Sequence, residues 1–365
     1  MPEAYLSATL EGEETRGLLR AVSVEESDRR ASLATLVFGD SDLVLGDIVQ
    51  EGLTVQIDLG VPDSHAVVFR GPITGLDVRY PAAETATVRV QALDSLAQLA
   101  FRYETKRWWN TTLSQVVTEL ATRHGMRPGT VTPTRDATFS EARPLQQVEE
   151  SDLAFLQRLG KEHGCRVYVD HPEGPDALNF VSIANLVNEP PLPGALRFND
   201  TLFDFSAQFE AFATDPAEDL VTTDPETGER VALTTQLASA TDAQWVPDAS
   251  RIARLGADAA AVTALVAKAA AKRASLADFW RNPPRAAGSA SRATADTSGT
   301  HGDPARRLGQ TARGRIAGNA LLRPRKRITL EGCGGRWSGA WNVASVRHTI
   351  DLRTNTFDSH FVATR

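Results

Sequence analysis

A chain of 365 residues has room for two or three domains, and an apolar fraction of 42% is that of a globular protein with a sizeable core. A formal charge of −7 excludes a general nucleic-acid binder, because neutralising phosphates needs a surplus of Lys and Arg on one face and the run RPRKR is too short to supply it. No run reaches the roughly 18 apolar residues of a membrane helix, and MPEAYLSATLEGEE lacks a basic stretch followed by an apolar one, so cytoplasmic synthesis without membrane insertion is expected.

Residues 1–102 read as short strands. RASLATLVFG and LTVQIDLG alternate apolar and polar residues, and HAVVFRGPITGLDVRY and ETATVRVQALD follow after turn-forming Pro, Gly and Asp clusters, which predicts a small antiparallel β-barrel or sandwich, the barrel being preferred. The period changes at Thr111. In NTTLSQVVTELATRHG, Thr112 with Gln115 three residues on is a capping-box pattern; Leu113, Val116, Val117 and Leu120 share a face, and Gly125 closes the helix. ESDLAFLQRLGKEHG repeats the grammar, with Ser151 or Asp152 as N-cap, Phe155, Leu156 and Leu159 inward and Gly164 as the stop. CRVYVD, the turn HPEGPDA and LNFVSI then make a hairpin, so residues 103–192 are expected to form an α/β unit.

NEPPLPG marks the next boundary. LRFNDTLFDFSAQFEAF returns to strand-like alternation, with Leu202, Phe203, Phe205, Phe209 and Phe212 as its apolar mass. Residues 193–249 and 310–365 are expected to form a second β-barrel, interrupted over 250–309 by an alanine-rich helix to about residue 280 and a polar, mobile loop over 283–309. The fold class is thus α+β, mainly β.

The two β regions echo each other. VQIDLG followed by VFRGPITGLDVRY, and ITLEGCG followed by RWSGAWNVASVRH, each run strand, glycine turn, aromatic-x-Gly and second strand, with Phe69 and Gly71 answering Trp337 and Gly339. Two related barrels per chain have a symmetry consequence: a trimer of such chains displays six similar surfaces and can dock onto a hexamer.

Little of the chain reads as catalytic. GRWSG has the wrong spacing for a nucleophile elbow, GCGGRW puts Trp337 where a dinucleotide fingerprint needs its third glycine, and neither a P-loop nor HExxH occurs. Cys165 and Cys333 lack metal or redox spacing and read as buried thiols. Glu149, Glu150 and Asp152 read as helix-start acids, and His124 and His163 as groups near helix-end carbonyls. Trp108 and Trp109 beside Lys106 and Arg107 could stack on a polymer, but are better read as a latch between the first barrel and the following helix, or as a subunit contact. Trp337 and Trp341 read as barrel-core or interface aromatics, and His348 as a strand residue with an ordinary hydrogen-bond partner. The interface candidates are therefore Arg107, Trp108, Trp109, Trp337 and Trp341, with no cofactor or metal.

Four segments, GLTVQIDLG with FRGPITGLDV, VQALDSLAQLAFRYETKRWWNTTLSQVVTELATRHGM, QQVEESDLAFLQRLGKEHGCRVYVD and RWSGAWNVASVRHTID, occur in this order over nearly the full length. Together they resemble the phage late control D family, the tail hub of contractile phages and injection systems, which is similar to the N-terminal half of VgrG spike proteins. The resemblance implies a non-enzymatic homotrimer around an axial channel. It would sit between a hexameric inner tube and a trimeric spike, in contact with baseplate wedge proteins, within an assembled tail particle. The spike would be a separate polypeptide, since the chain ends after the second β region. The alternative is a tail component that binds cell-wall polysaccharide or degrades peptidoglycan. One departure stands out: Arg325 in RPRKRITL occupies a turn where family members usually have glycine, so that turn is expected to be built differently.

Overall fold

The computed structural model describes residues 5–82, 84–209, 220–223, 230–233, 249–254, 256–269 and 310–365. The loop expected over 283–309, the alanine-rich helix beyond residue 269 and Phe212 lie outside the described residues.

The first β region contains β1 (Tyr5–Leu10), β2 (Glu13–Glu14), β3 (Leu19–Ser27), β4 (Leu33–Gly39), β5 (Thr54–Val61), β6 (Ser64–Arg79) and β7 (Thr87–Leu93), with a short helix α1 (Leu45–Ile48) between β4 and β5. Alternation dictates the layering. In β4 every second residue, Ala34, Leu36 and Phe38, is buried, and these meet Val22, Val24, Val55, Ile57, Phe69, Val88 and Val90 in one core. At 16 residues β6 is long enough to serve two partners, pairing with β5 through Gly71 and Pro72 and with β7 from Ile73 onward. The crossing point is Gly71, where a Cβ would collide with the Leu93 carbonyl and the Asp94 Cα.

The chain then enters the α/β unit through a 3₁₀ helix (Ser95–Ala100) capped by Asp94. Its elements are β8 (Tyr103–Trp108), β9 (Thr111–Thr112), α2 (Leu113–Arg123), β10 (Arg127–Thr132), β11 (Thr138–Phe139), β12 (Leu145–Ser151), α3 (Asp152–Glu162), β13 (Cys165–Asp170), β14 (Ala177–Ser182) and α4 (Ile183–Asn188). The capping box of α2 is present in both directions, with the Gln115 N–H donating to Thr112 Oγ1 at 3.3 Å and the Thr112 N–H to Gln115 Oε1 at 2.9 Å. Leu113, Val116, Val117 and Leu120 of α2 and Phe155, Leu156 and Leu159 of α3 are fully buried together. β13 and β14 form the expected hairpin, and β10 adds a parallel strand beside β14. α4, capped by Ser182, takes over where strand had been expected at Ile183. Glu149 and Glu150, expected at a helix start, lie in β12, and Ser151 is the N-cap of α3.

The last region contains β15 (Leu196–Arg197), β16 (Leu202–Phe209), the hairpin β17 (Leu220–Thr223) and β18 (Arg230–Leu233), α5 (Ala249–Ala253), a helix over residues 259–269, β19 (Gln310–Ala317), β20 (Arg327–Glu331), β21 (Gly339–Asp351) and β22 (Thr356–Thr364). Leu202, Ile316, Ile328, Leu330, Trp341, Val343 and Phe361 form its core.

Mainly β architecture is observed, with one feature the pattern of strands did not reveal. The two β regions share a single sheet of 13 strands, running β16, β19, β22, β21, β3, β4, β7, β6, β5, β1, β2, with β20 and β15 attached beside β21. The join is antiparallel pairing of β21 with β3, from Ser345 opposite Ser27 to Asp351 opposite Ala21. β21 thus repeats the role of β6: each follows a hairpin partner, then outruns it to pair elsewhere past a register shift, between Ile73 and Gly75 in one case and between Val343 and Ser345 in the other. Because the backbone at the β6 crossing has no room for a side chain, Gly71→Ala is expected to lower unfolding free energy by about 3 kcal/mol; chemical denaturation of the variant and the parent measures it.

Candidate assembly site

The end of β3 is where the three parts of the molecule meet. Glu26, almost fully buried, receives both Nε (2.7 Å) and Nη2 (2.5 Å) of Arg323 from the last β region. The Ser27 carbonyl accepts from Arg325 Nη1 at 3.4 Å, and the Asp28 carboxylate accepts from Arg166 Nε on β13 at 3.2 Å. Three consecutive residues are therefore held by three arginines from the other two parts. A charge-assisted bond at each is stronger than a neutral one, and a buried carboxylate that lost its partner would be left uncompensated.

Arg325 resolves the unusual turn. Its φ is +73°, in the left-handed region that glycine favours and a side chain rarely adopts. What holds it is visible: the Arg325 N–H donates to the Val343 carbonyl at 2.7 Å, and its guanidinium lies 3.8 Å from the centre of the Tyr168 ring. Desolvation pushes the Tyr168 phenol up to about 12, against the pull of Arg325.

A second joint clasps the first β region to the α/β unit. Arg70 on β6 donates through Nη1 to the carbonyls of Gly174 (2.6 Å) and Pro172 (3.3 Å) and to Asp176 Oδ1 (3.2 Å), and through Nε to Gln56 at 3.0 Å. Asp176 also receives Ser95 Oγ and faces His171 Nδ1 at 3.0 Å. Burial raises the Asp176 carboxyl, but His171, Ser95 and Arg70 together outweigh it and hold it below the usual range.

His348 lies under the seam, fully buried, with Nδ1 2.8 Å from Ser359 Oγ, the ordinary partner expected of it. Nε2 is 3.8 Å from Glu26 Oε2, and neither atom has a hydrogen-bond partner among the described residues. Burial, with the charge of Arg323 beside it, pushes the imidazole down to about 3.

The five interface candidates separate by burial. Trp108 is 3% exposed, stacked on Phe155 of α3 at 6.2 Å, with Lys106 Nζ 3.5 Å above the ring and reaching on to Glu119. It latches β8 onto the α/β core, and is not available to a partner. Trp341 is fully buried, its Nε1 donating to the Trp337 carbonyl at 2.9 Å and Arg365 lying over its ring. Trp337 is half-buried in the turn before β21, under Arg336. Arg107 and Trp109 remain exposed, the latter 49%. Of the alternatives the sequence left, burial places Trp108 in the latch and Trp341 in the core rather than on an exposed surface, and alternation explains the first: Tyr103, Thr105 and Arg107 point out of β8, while Trp108 closes it from the other side.

The chemically suggestive residues are likewise engaged in structure. Asp152, fully buried, accepts from Gln147 Nε2 and faces His124 Nε2, both at 2.7 Å, so His124 meets a carboxylate rather than free carbonyls. Glu150 pairs with Arg158 at 2.5 Å. Cys165 is a buried thiol pushed up to about 12 by desolvation, whereas Cys333, expected to be buried, is partly exposed. Among the described residues no cluster of His, Cys, Asp and Glu has metal-site geometry, and no helix is long and apolar enough to cross a membrane.

The phage tail baseplate hub (GPD) family matches residues 30–354. The chain belongs to this family. The hub fold is shared with solved structures of low identity: the 43 kDa tail protein of prophage MuSo2 from Shewanella oneidensis is 14% identical, with a TM-score of 0.60 over 100% of this chain and 97% of that one. The E. coli c3393 protein, described as a component of the type VI secretion system with similarity to T4 tail proteins gp27 and gp5, is 13% identical at a TM-score of 0.58, over 98% of this chain and 76% of that one. A tail protein of Neisseria meningitidis MC58 is 12% identical at 0.57, over 100% and 96%. No curated protein matches the chain significantly. As a baseplate hub the chain is a structural part of an assembled tail, and its charged joints are to be understood as what fixes its shape.

The His348 environment gives this shape a pH dependence with a definite sign. Above about pH 6.5 the imidazole is neutral in folded and unfolded chains alike; between there and about 3 the unfolded chain takes up a proton that the fold refuses, so stability falls as pH falls. The contribution is up to about 1.4 kcal/mol per pH unit, and His348→Gln, which keeps a polar partner for Ser359 without titrating, should flatten the decline. Denaturation midpoints of both proteins at pH 7.5, 6 and 5 test this; parallel slopes would count against it.

Proposed function

We propose that this hub is the central adaptor of a contractile baseplate, a homotrimer joining a hexameric inner tube to a trimeric spike. The observation that carries the reading is the single sheet. Two β regions with an echoing hairpin each are joined strand to strand through β3 and β21, so each chain would offer two similar surfaces at a fixed angle, and three chains would offer six. The two symmetries would then be met by one molecule: the pseudo-sixfold set of surfaces on the tube side and the threefold axis on the spike side. No chemistry is required of it, and force would pass through paired strands and buried ion pairs.

Membership of the baseplate hub family supports the reading, as does the structural engagement of Asp152, Glu150 and His124, which ties two of the three carboxylates in that segment to Gln147, His124 and Arg158. The decisive measurement is stoichiometry by native mass spectrometry of the full chain, alone and with its tube and spike proteins: three copies are expected, and a stable monomer in every mixture would overturn the proposal. Removing residues 315–365 takes away β20, β21 and β22 and with them the seam, so particles should fail to assemble; intact particles from such a mutant would be equally damaging.

A further inference from the structure

Beneath the seam, polar groups form a chain that leaves one loop and returns to it. Asn319 and Arg323 both lie in the connection between β19 and β20. The Asn319 N–H donates to Ser359 Oγ on β22 at 3.0 Å, and Ser359 Oγ lies 2.8 Å from Nδ1 of His348, the residue directly opposite it on β21. On its other side the imidazole faces Glu26 of β3, a diagonal neighbour across the ladder, with 3.8 Å between Nε2 and Oε2. The second oxygen of Glu26 receives Arg323, which brings the chain back to its starting loop.

Which nitrogen of His348 holds the proton decides whether this chain is complete. Glu26, His348 and Ser359 are at most 3% exposed, so each donor must find its acceptor inside the protein. With the proton on Nδ1, Ser359 Oγ would accept from both Asn319 and His348, and its own hydroxyl proton would be left without an acceptor. The bare lone pair of Nε2 would then face the Glu26 carboxylate, acceptor against anion. With the proton on Nε2 both faults disappear. Ser359 donates to Nδ1, and the N–H of Nε2 turns its positive end to Oε2, an atom with no other donor among the described residues. At 3.8 Å this last link is longer than a hydrogen bond and acts as a dipole against a charge, which counts for more in a dry interior than in water.

We propose that His348 is neutral with its proton on Nε2, and is the positioning residue through which Ser359 and Glu26 clamp the loop bearing Asn319 and Arg323 at two points onto β22, β21 and β3. Every link then has a direction: Asn319 N–H to Ser359, Ser359 O–H to His348, His348 N–H to Glu26, with Arg323 closing the circuit from the far side. The clamp reaches the first β region as well, because Arg323 also donates to the carbonyls of Val67 and Val68 on β6, both at 3.4 Å. Reversing any link would set a buried donor against a donor, so the chain holds as a unit.

Nitrogen-15 spectra of the full chain, labelled at histidine, decide the tautomer. The His348 ring is recognised by its proton contacts with Phe357, whose ring centre is 6.1 Å away, and by its loss in His348→Gln. At neutral pH, Nε2 should show the shift and one-bond proton coupling of an N–H, and Nδ1 the shift of a bare nitrogen. A proton on Nδ1, shared between Ser359 Oγ and the Leu322 carbonyl that also reaches the ring, would overturn the proposal, and so would averaged shifts from two exchanging tautomers. The parent spectrum settles this without any variant having to fold. The clamp itself is read by hydrogen exchange at the Asn319 amide, which should quicken about tenfold in Ser359→Ala and in His348→Phe while the amides of β4 and β7 keep the parental rate. A parental rate at Asn319 in His348→Phe would show that the histidine does not act through Ser359, and would overturn its positioning role.

Discussion

Pairing of β3 with β21 is the constraint on which the rest of the molecule depends. It joins residues 21–27 to 345–351, more than 300 positions apart in sequence, and makes one sheet of what would otherwise be two β units tied by linkers. Closing so large a loop costs entropy that a short ladder of backbone bonds only partly offsets. The seam is accordingly reinforced beneath by Glu26 with Arg323 and His348 with Ser359, and outside by Arg347 with Glu25 at 2.6 Å. These groups also choose the register. A slip of one residue would turn Glu26 and His348 to the opposite face, leaving Arg323 without its carboxylate and putting two polar side chains where apolar ones pack.

The same economy is seen at the α/β unit. It has a core of its own, built on Trp108, Phe155 and the inward faces of α2 and α3, so what the joints add is its angle to the sheet. Three cations set that angle: Arg70 reaching from β6 into the loop after β13, Arg166 returning from β13 to Asp28, and Arg325 lying on Tyr168 while bonding Ser27. Apolar contacts alone tolerate small rotations because they have no direction. Guanidinium forks on carbonyls and carboxylates do not, and they are placed where rotation would have to occur.

Local grammar was legible in the sequence wherever the interaction is local. The box formed by Thr112 and Gln115, the Ser151 cap, the buried faces of α2 and α3 and the hairpin from Cys165 to Ser182 all follow from spacing along the chain. The seam was not legible, because β3 and β21 alternate like any other half-buried strands and nothing in either names its partner. Nor was the role of the joints. Arg70, Arg166 and Arg323 look like surface arginines until the partner loop is in place, and the one audible signal, Arg325 in its turn, marked a residue at φ +73° without naming the Tyr168 ring its guanidinium lies on. The aromatic runs were ambiguous for a simpler reason: Trp108 ends β8 and Trp109 lies just past it, and the buried one can be told from the exposed one only when the end of the strand and its sheet are known.

These features combine into a requirement on rigidity. A hub is one part of a larger tail assembly, and an error at any internal joint of the subunit is repeated in every copy that the assembly contains. A loosely hinged subunit with the same surfaces would form a mixture of rings and open chains. Hydrophobic cores such as those around Phe69, Phe155 and Trp341 make each part stable but do not fix the angles between parts. Glu26, Ser27 and Asp28, three successive residues each held by a different arginine, do so where all three parts meet, and the direction of those bonds is what fixes the parts against one another.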